Sequence, residues 1–295
     1  NIATRAPAAA PNRVEVCDGD GNPVRTLFES RALREQLAAT QRPVKEFFTF
    51  VTERGDTLNA YLIKPRGFDP SQRYPVLLTQ YSGPGSQSVR DRWSLDWEDA
   101  LADKGYIVAC TDGRGTGFRG EKFKKITYGR LGALEVEDQL SFARYLAAQP
   151  YADPARIGIY GWSYGGFMAL SCALKGHGLF KMAIAVAPVT SWRYYDSIYT
   201  EIYNNLPQYN ASGYDDNSPI NFARMLDDTK TRLLIIHGTA DDNVHFQNTV
   251  EMTRALNRCG KQYDMMVYPD QNHSMQPNDT ANVRQKMIEY TLGHL

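Results

Sequence analysis

The sequence lacks several things that would direct it elsewhere. It has no run of eighteen apolar residues, so no segment is long enough to cross a bilayer as a helix. It has no excess charge, with 33 Lys and Arg against 33 Asp and Glu. A neutral chain has no electrostatic reason to gather on nucleic acid or on an anionic membrane surface. The four cysteines, Cys17, Cys110, Cys172 and Cys259, are too widely spaced for a structural zinc pattern. Cys110 falls in an apolar strand and Cys172 in an apolar helix, where buried thiols are common, and all four are expected to be free. No metal and no cofactor is implied. No internal repeat, low-complexity tract or signal peptide is found. The chain begins at Asn1 rather than Met, and so reads as a piece of something longer.

What is present is 295 residues, enough for one large domain with a substantial core. Residues 1 to about 44 differ from the rest. Arg13 to Cys17 reads as a strand, the Asp/Gly/Asn/Pro cluster at 18–23 as a turn, Val24 to Leu27 as a return strand and residues 30–39 as a helix. Residues 45–295 begin with a hairpin, 47–51 and Thr57 to Ile63 around Arg54-Gly55-Asp56. Strands and helices then alternate. Strands are predicted at 75–81, 106–111, 156–162, 182–187, 232–237 and 263–268, and helices at 95–104, 133–148, 164–175, 245–258 and 279–294. The later strands are short continuous apolar runs such as Leu233-Leu234-Ile235-Ile236. Such runs mark strands buried on both faces, hence an α/β fold with a mostly parallel central sheet and helices on both sides.

The chemistry is carried by Gly161-Trp162-Ser163-Tyr164-Gly165-Gly166. A G-x-S-x-G segment between a strand and a helix is the nucleophile elbow of the α/β-hydrolase fold. The chain turns sharply at Ser163, glycines remove side chains where the turn packs on its neighbours, and the serine hydroxyl is left exposed at the sheet edge. The amide of Tyr164, at a helix N-terminus, is placed to donate to a developing oxyanion. The motif alone occurs by chance, but here the apolar run 156–160 precedes it and Phe167-Met168-Ala169-Leu170 follows.

In this fold the chain order of the triad is serine, acid, histidine. Of five histidines, His245, His273 and His294 follow a plausible acid loop. His294 is next to last in the chain, and His245 opens a helix. His273 lies in a polar loop between the last strand and the last helix, which is where a base must sit to reach a serine above the sheet. The acid belongs to the loop after the strand at 232–237, where Asp241 and Asp242 are adjacent and periodicity does not separate them. Asp227 and Asp228 lie at the wrong end of that strand, and Asp270 reads as a turn residue.

Taken with the blocks Tyr81-Ser82-Gly83-Pro84-Gly85, Asp112-Gly113-Arg114-Gly115-Thr116-Gly117, Glu135-Val136-Glu137-Asp138-Gln139, Ala187-Pro188-Val189-Thr190-Ser191-Trp192, Tyr194-Tyr195-Asp196-Ser197-Ile198-Tyr199 and His237-Gly238-Thr239-Ala240-Asp241-Asp242-Asn243-Val244, the chain from about residue 45 onward resembles the prolyl oligopeptidase family, in its dipeptidyl peptidase IV branch. The resemblance implies a serine peptidase that releases short N-terminal peptides, dipeptides foremost, by cutting after proline or alanine. It makes Asp241 the acid, Tyr81 a second oxyanion donor and Asn243 a ligand of a substrate carbonyl. It assigns the proline pocket to Tyr164, Val189, Trp192, Tyr195, Tyr199 and Val244. From the residues alone Tyr81 reads as a strand-end aromatic, and the cluster Trp192, Tyr194, Tyr195, Tyr199 and Tyr203 is equally consistent with core or interface. Family members carry a β-propeller that clamps the substrate's amino group. Residues 1–44 resemble only its last strand and the linker, so dipeptidyl and tripeptidyl release are not distinguished. An acylaminoacyl peptidase or an esterase uses the same scaffold, and a non-catalytic binding module is the rival of another class. Inactive relatives of that kind usually lose a triad residue, and Ser163, Asp241 and His273 are all present here. The resemblance further implies an exported, periplasmic or cell-surface enzyme and a homodimer formed partly through the last helix, where Val283, Met287, Ile288, Tyr290 and Leu292 offer an apolar face.

Overall fold

The computed structural model describes residues 1–40 and 42–295, and Gln41, within the expected linker, lies outside them. The N-terminal segment forms a sheet of its own. Strands β1 (Ile2–Arg5), β2 (Arg13–Cys17) and β3 (Pro23–Glu29) pair antiparallel in that order, followed by helix α1 (Arg31–Thr40). β1 was not foreseen from the sequence, because four residues with no apolar alternation carry no strand signal. β3 and α1 bury no residue, and Val24 and Phe28 stand in solvent. The polar centre of this sheet is Glu15, buried between Arg5 at 2.9 Å and Arg13 at 2.7 Å.

The second sheet has eight strands. In chain order its elements are β4 (Lys45–Val51), β5 (Thr57–Ile63), β6 (Tyr74–Thr79), α2 (Trp97–Asp103), β7 (Ile107–Asp112), α3 (Glu121–Lys125), α4 (Leu134–Ala147), β8 (Ala152–Trp162) and α5 (Tyr164–Lys175). They continue through β9 (Met182–Val186), α6 (Ser197–Asn204), α7 (Ala211–Asp215), β10 (Arg232–Gly238), α8 (Gln247–Arg258), β11 (Asp264–Tyr268) and α9 (Pro277–His294). The spatial order is β11-β10-β9-β8-β6-β7-β5-β4. Neighbours from β11 to β7 are parallel, and only β5 runs against them, paired antiparallel with β7 on one side and with β4 on the other. The expected mostly parallel α/β architecture is what the chain forms.

Period-two alternation splits each apolar strand between two cores. On β10, Leu233 and Ile235 enter the core under α4, α5 and α8, while Leu234 and Ile236 enter the core under α2 and α9. β6 does the same with Val76 and Leu78 on one side and Leu77 on the other. A strand covered on both faces needs apolar residues at every position, which is why these runs show no alternation. On α9, Val283, Met287 and Tyr290 are buried against the sheet, whereas Leu292 is exposed. Most of the apolar face of the last helix is therefore used within this chain. Helices α3, α6 and α7 were not foreseen. They have five, eight and five residues, too few turns to display a helical period.

The chain runs from β6 outward to β7 and returns to place β8 on the other side of β6. Connections leaving β6 and β8 therefore diverge, and a crevice opens at the C-terminal ends of these two strands. The tightest packing lies at the β8–α5 turn beside it. A Cβ on Gly161 would stand 2.1 Å from the Gly165 carbonyl oxygen, one on Gly165 2.6 Å from the Gln80 carbonyl oxygen, and one on Gly166 2.4 Å from the Val186 carbonyl oxygen. Backbone cannot yield as a flexible side chain does. Gly161→Ala is expected to cost about 3 kcal/mol of stability, at the upper end for overpacked sites. Chemical denaturation checks this, and a variant as stable as the parent would show that the turn can open.

Candidate active site

Ser163 is the single residue between β8 and α5. Its φ of 62° and ψ of −119° lie where a residue with a side chain is strained, at a cost of about 1–3 kcal/mol. Neighbouring groups hold it there. Its N–H donates to the Val186 carbonyl at 2.8 Å, and its own carbonyl accepts from the Phe167 N–H at 2.9 Å. The side-chain amide of Gln80 donates to the carbonyls of Gly165 at 2.8 Å and Tyr160 at 3.3 Å, which ties the end of β6 to the turn. Gln80 is steadied in turn by the Ser82 hydroxyl at 3.0 Å, and Ser82 by Gln139 of α4 at 3.1 Å.

The register of β6 on β8 pairs Thr79 with Tyr160, so Tyr81 emerges beside the turn. Burial raises the pKa of its phenol, and the Ser163 hydroxyl within hydrogen-bonding reach offsets part of that. The Tyr164 N–H opens α5 and has no acceptor within the helix. Tyr81 and the Tyr164 amide thus border the same hydroxyl.

Asp241 and His273 come from the loops after β10 and β11, whose strand ends are paired through Gly238 and Tyr268. His273 Nδ1 lies 2.8 Å from Asp241 Oδ2. A carboxylate only accepts, so Nδ1 carries the proton and Nε2 is the free basic nitrogen. The His273 backbone is fastened next to the turn, where Trp162 Nε1 donates to its carbonyl at 3.1 Å. The Ser163 hydroxyl makes no hydrogen bond to His273 in this state. Asp241 Oδ1 accepts from the N–H groups of Asn243 at 3.0 Å and Val244 at 2.9 Å. Burial alone would raise its carboxyl, but the hydrogen bonds from His237 and His273, with the backbone N–H of Asn243, outweigh that and hold it well below the usual carboxylate range. Asp242 and His245 are exposed, so of the two adjacent acids only Asp241 is inside the network.

A small cavity of about 20 Å³ opens beside Ser163, lined by Tyr81, Tyr164, Val189, Trp192, Tyr195 and Tyr199. Trp192 is its centre, stacked on Tyr199 at 6.4 Å, edge-on to Tyr195 at 6.1 Å and tilted on Tyr164 at 5.6 Å. The Tyr195 hydroxyl donates to Asn243 Oδ1 at 2.6 Å, which leaves the Asn243 amide N–H groups to face outward. Val244 does not line this cavity. Its side chain is fully buried in the core, and its backbone serves Asp241 and His237. Among the described residues no three His, Cys, Asp or Glu side chains converge as a metal site, and the four cysteines are free.

Three residues of this region were not picked out from the sequence. His237 is fully buried. Its Nε2 lies 2.8 Å from the Val244 carbonyl, which only accepts, so that nitrogen carries the proton and shares it with Asp241 Oδ2 at 3.2 Å. Its Nδ1 then accepts from the Thr249 hydroxyl at 2.7 Å. The four-residue interval from His237 to Asp241 was the available signal, but a histidine ahead of the acid was set aside on chain order. Gln80 immediately precedes the segment Tyr81-Ser82-Gly83-Pro84-Gly85 and Glu135 opens Glu135-Val136-Glu137-Asp138-Gln139, with no chemical pattern to single either out.

The charge on Asp241 has a consequence for stability. A carboxyl depressed in the folded state contributes fully above about pH 4, where the unfolded group ionises, and loses that contribution as acidification protonates the folded form. Asp241→Asn should therefore cost on the order of 2 kcal/mol at pH 7 and less at pH 3. Paired denaturation curves at the two pH values test this, and a deficit that grows on acidification would contradict the assignment of a buried charge.

The family model described as "Prolyl oligopeptidase family" matches residues 93–295. A protein named "Probable dipeptidyl-aminopeptidase B" from Metarhizium robertsii is 41% identical over 254 residues, 85% of this chain and 28% of that protein. One of the same name from Trichophyton verrucosum is 43% identical over 273 residues, 92% of this chain and 29% of its own length. The crystal structure of Porphyromonas gingivalis dipeptidyl peptidase 4 superposes with a TM-score of 0.95 at 48% identity, covering 100% of this chain and 42% of that one. The chain thus spans well under half the length of the relatives it matches. With a strained serine at the strand–helix turn, a matching family model over most of its length and a near-identical backbone in a solved relative, this chain belongs to the prolyl oligopeptidase family.

Proposed function

We propose that this chain carries the catalytic centre of a serine peptidase that releases dipeptides from peptide N-termini by cutting after proline or alanine. The observation that supports this most directly is the small aromatic cavity beside Ser163. At about 20 Å³ it is far below the roughly 300–1,000 Å³ typical of drug-sized ligand pockets, so it admits no more than one small side chain. A proline ring is apolar and has no N–H, so aromatic walls cover it without stranding a donor. Alanine fits by size with less contact.

In the proposed reaction the Ser163 Oγ attacks the carbonyl carbon of the residue held in this cavity, and its proton passes to His273 Nε2. The carbonyl oxygen becomes an oxyanion, and the Tyr81 hydroxyl and Tyr164 N–H donate to it. Collapse breaks the C–N bond, His273 returns the proton to the departing amine, and an acyl-serine remains. A water molecule, losing a proton to His273, attacks the ester, and the acid is released as Ser163 recovers its proton. Asp241 keeps Nδ1 protonated and stabilises the imidazolium. Proton transfer requires the serine hydroxyl to turn toward Nε2. Substrate binding is expected to complete that contact, as it commonly does for catalytic hydrogen bonds. Asn243, oriented by Tyr195, donates to a carbonyl further toward the substrate's N-terminus.

The register of cleavage needs a group that holds the substrate's amino terminus. We propose that this group belongs to a propeller domain in the longer protein, of which the exposed sheet β1–β3 is the adjoining part. A fluorophosphonate probe should label the 295-residue chain at Ser163, and Ser163→Ala should abolish labelling while thermal unfolding stays unchanged. Absence of labelling in a folded sample would favour a binding module. Turnover of a Gly-Pro-anilide should be far weaker for the 295-residue chain than for the full-length protein, and equal turnover would refute the missing clamp. Digestion of a peptide library by the full-length protein, read by mass spectrometry, should yield dipeptides ending in proline or alanine. Tripeptides or acylated residues would reassign it to another peptidase of the same scaffold.

A further inference from the structure

Glu135 is fully buried at the start of α4 and takes part in no step described above. Its Oε2 accepts from the Gly132 N–H at 3.0 Å, closing the loop that leads into its own helix. Its Oε1 leaves that helix altogether and accepts from the Tyr164 hydroxyl of α5 at 2.9 Å. Among the described residues no Lys or Arg forms an ion pair with it. An interior carboxyl without a cation is costly, and hydrogen bonds to its oxygens are its only compensation. A helix cap alone would require one acceptor, which a serine or a glutamine supplies. The second acceptor is spent on the wall of the cavity.

Tyr164 is placed where this matters. Its ring packs edge-on to Phe167 at 5.2 Å, tilts on Trp192 at 5.6 Å and faces Tyr81 at 6.0 Å. Phe167 in turn lies edge-on to Trp192 at 5.0 Å, and a Cβ on Gly132 would stand 2.3 Å from the Phe167 ring. One carboxyl thus grips the far end of the wall ring and the loop pressed against the ring behind it. Released at its hydroxyl, the Tyr164 ring is free to tilt into or away from a cavity that has little volume to spare.

We propose that Glu135 is a positioning residue for substrate selectivity, holding the Tyr164 ring at the angle that makes the cavity discriminate proline from other small residues. This rests on the reading of that cavity as the pocket for the residue before the scissile bond. At pH 8 the carboxyl is ionised, since burial pushes it up to about 7, and it accepts from both donors at once. A glutamine of the same shape offers one acceptor, which the Gly132 N–H takes, so the Tyr164 hydroxyl is left to accept from the amide N–H in a neutral, reversed bond in place of a charge-assisted one.

The test compares full-length wild type with Glu135→Gln, Tyr164→Phe and the double variant at pH 8. Three readings are taken: kcat and KM for matched proline and alanine dipeptide anilides, the rate of fluorophosphonate labelling, and thermal unfolding. The proline-over-alanine ratio in kcat/KM is expected to fall about tenfold in Glu135→Gln, the lower range for a pocket contact. Labelling, which does not fill the pocket, should change little. Tyr164→Phe should reproduce the loss, and the double variant should be no worse than the worse single one. If Glu135→Gln does not fold, Tyr164→Phe carries the test, because it removes the Tyr164–Glu135 bond and leaves the one to Gly132. An unchanged ratio in a folded variant, or losses that multiply in the double variant, overturns the role of Glu135 and leaves the pocket assignment standing. A wild-type enzyme that labels but does not prefer proline overturns both.

Discussion

The site depends on one backbone conformation, a serine held at positive φ in the one-residue gap between β8 and α5. Nothing in Ser163 favours that conformation. It persists because the residues around it leave no alternative: its N–H is engaged by β9, its carbonyl by α5, and the turn's own carbonyls by Gln80 from β6. Three glycines let the backbones of β6, β9 and α5 approach to distances that a methyl group would forbid. The strain is thus shared over three strands and a helix, which is how a few kcal/mol of local cost survives in a domain of ordinary stability. The order of the strands then does the rest. Tyr81, Ser163, Asp241 and His273 come from the ends of four strands, and the parallel sheet delivers all four to one edge.

The polar interior of α4 explains a block of sequence that has no catalytic chemistry of its own. In Glu135-Val136-Glu137-Asp138-Gln139 the polar residues do separate tasks. Glu135 holds Tyr164, and Gln139 holds Ser82 and through it Gln80. Asp138 accepts from the backbone N–H of Arg114 at 2.7 Å and from its guanidinium at 2.7 Å, and so shapes the loop after β7. That loop packs on the one carrying Tyr81, where Gly117 and Ser86 are joined backbone to backbone at 2.8 Å. Buried polar groups of this kind add little net stability, since desolvation consumes most of what the bonds return. They do specify geometry, because each broken bond leaves a stranded partner. A helix that buries its polar face against the active-site loops is a scaffold for position rather than for stability.

Much of this was legible in the sequence, for reasons that differ by element. Apolar runs of four or five residues marked the buried strands because a doubly covered strand tolerates nothing else, and G-x-S-x-G was readable because strand and helix flanked it. The choice between Asp241 and Asp242 was not legible from periodicity. Adjacent residues in a loop have no periodic distinction, and only the resemblance to a family separated them; the structure shows the physical difference as burial and four hydrogen bonds on one of the two. His237 escaped notice because its role is exerted on the acid and not on substrate, and such roles have no characteristic residue order. Tyr195, Tyr199 and Trp192 were visible as an aromatic cluster, but whether a cluster encloses a cavity or fills it depends on packing that spacing does not encode. Val244 illustrates this from the other side: the motif assigns it to the pocket, while its side chain lies in the core.

The network around Asp241 bears on how the proposed reaction handles its proton. Both oxygens are saturated, one by two backbone N–H groups and the other by two imidazoles, and the balance of burial against these bonds leaves the carboxyl strongly disposed to remain charged. Such an acid is a poor destination for a proton. When His273 Nε2 takes the proton of Ser163, the Nδ1 proton therefore stays on the ring, and the positive charge rests on an imidazolium 2.8 Å from a fixed negative one. His237 lies beyond this pair, its Nε2–H held by the Val244 carbonyl and its Nδ1 beside the Thr249 hydroxyl. Through Nε2–H it pins Asp241 Oδ2 at 3.2 Å. The acid's contribution is then electrostatic and orientational. It follows from where the loop after β10 puts one carboxylate, and not from any ability of that carboxylate to exchange protons.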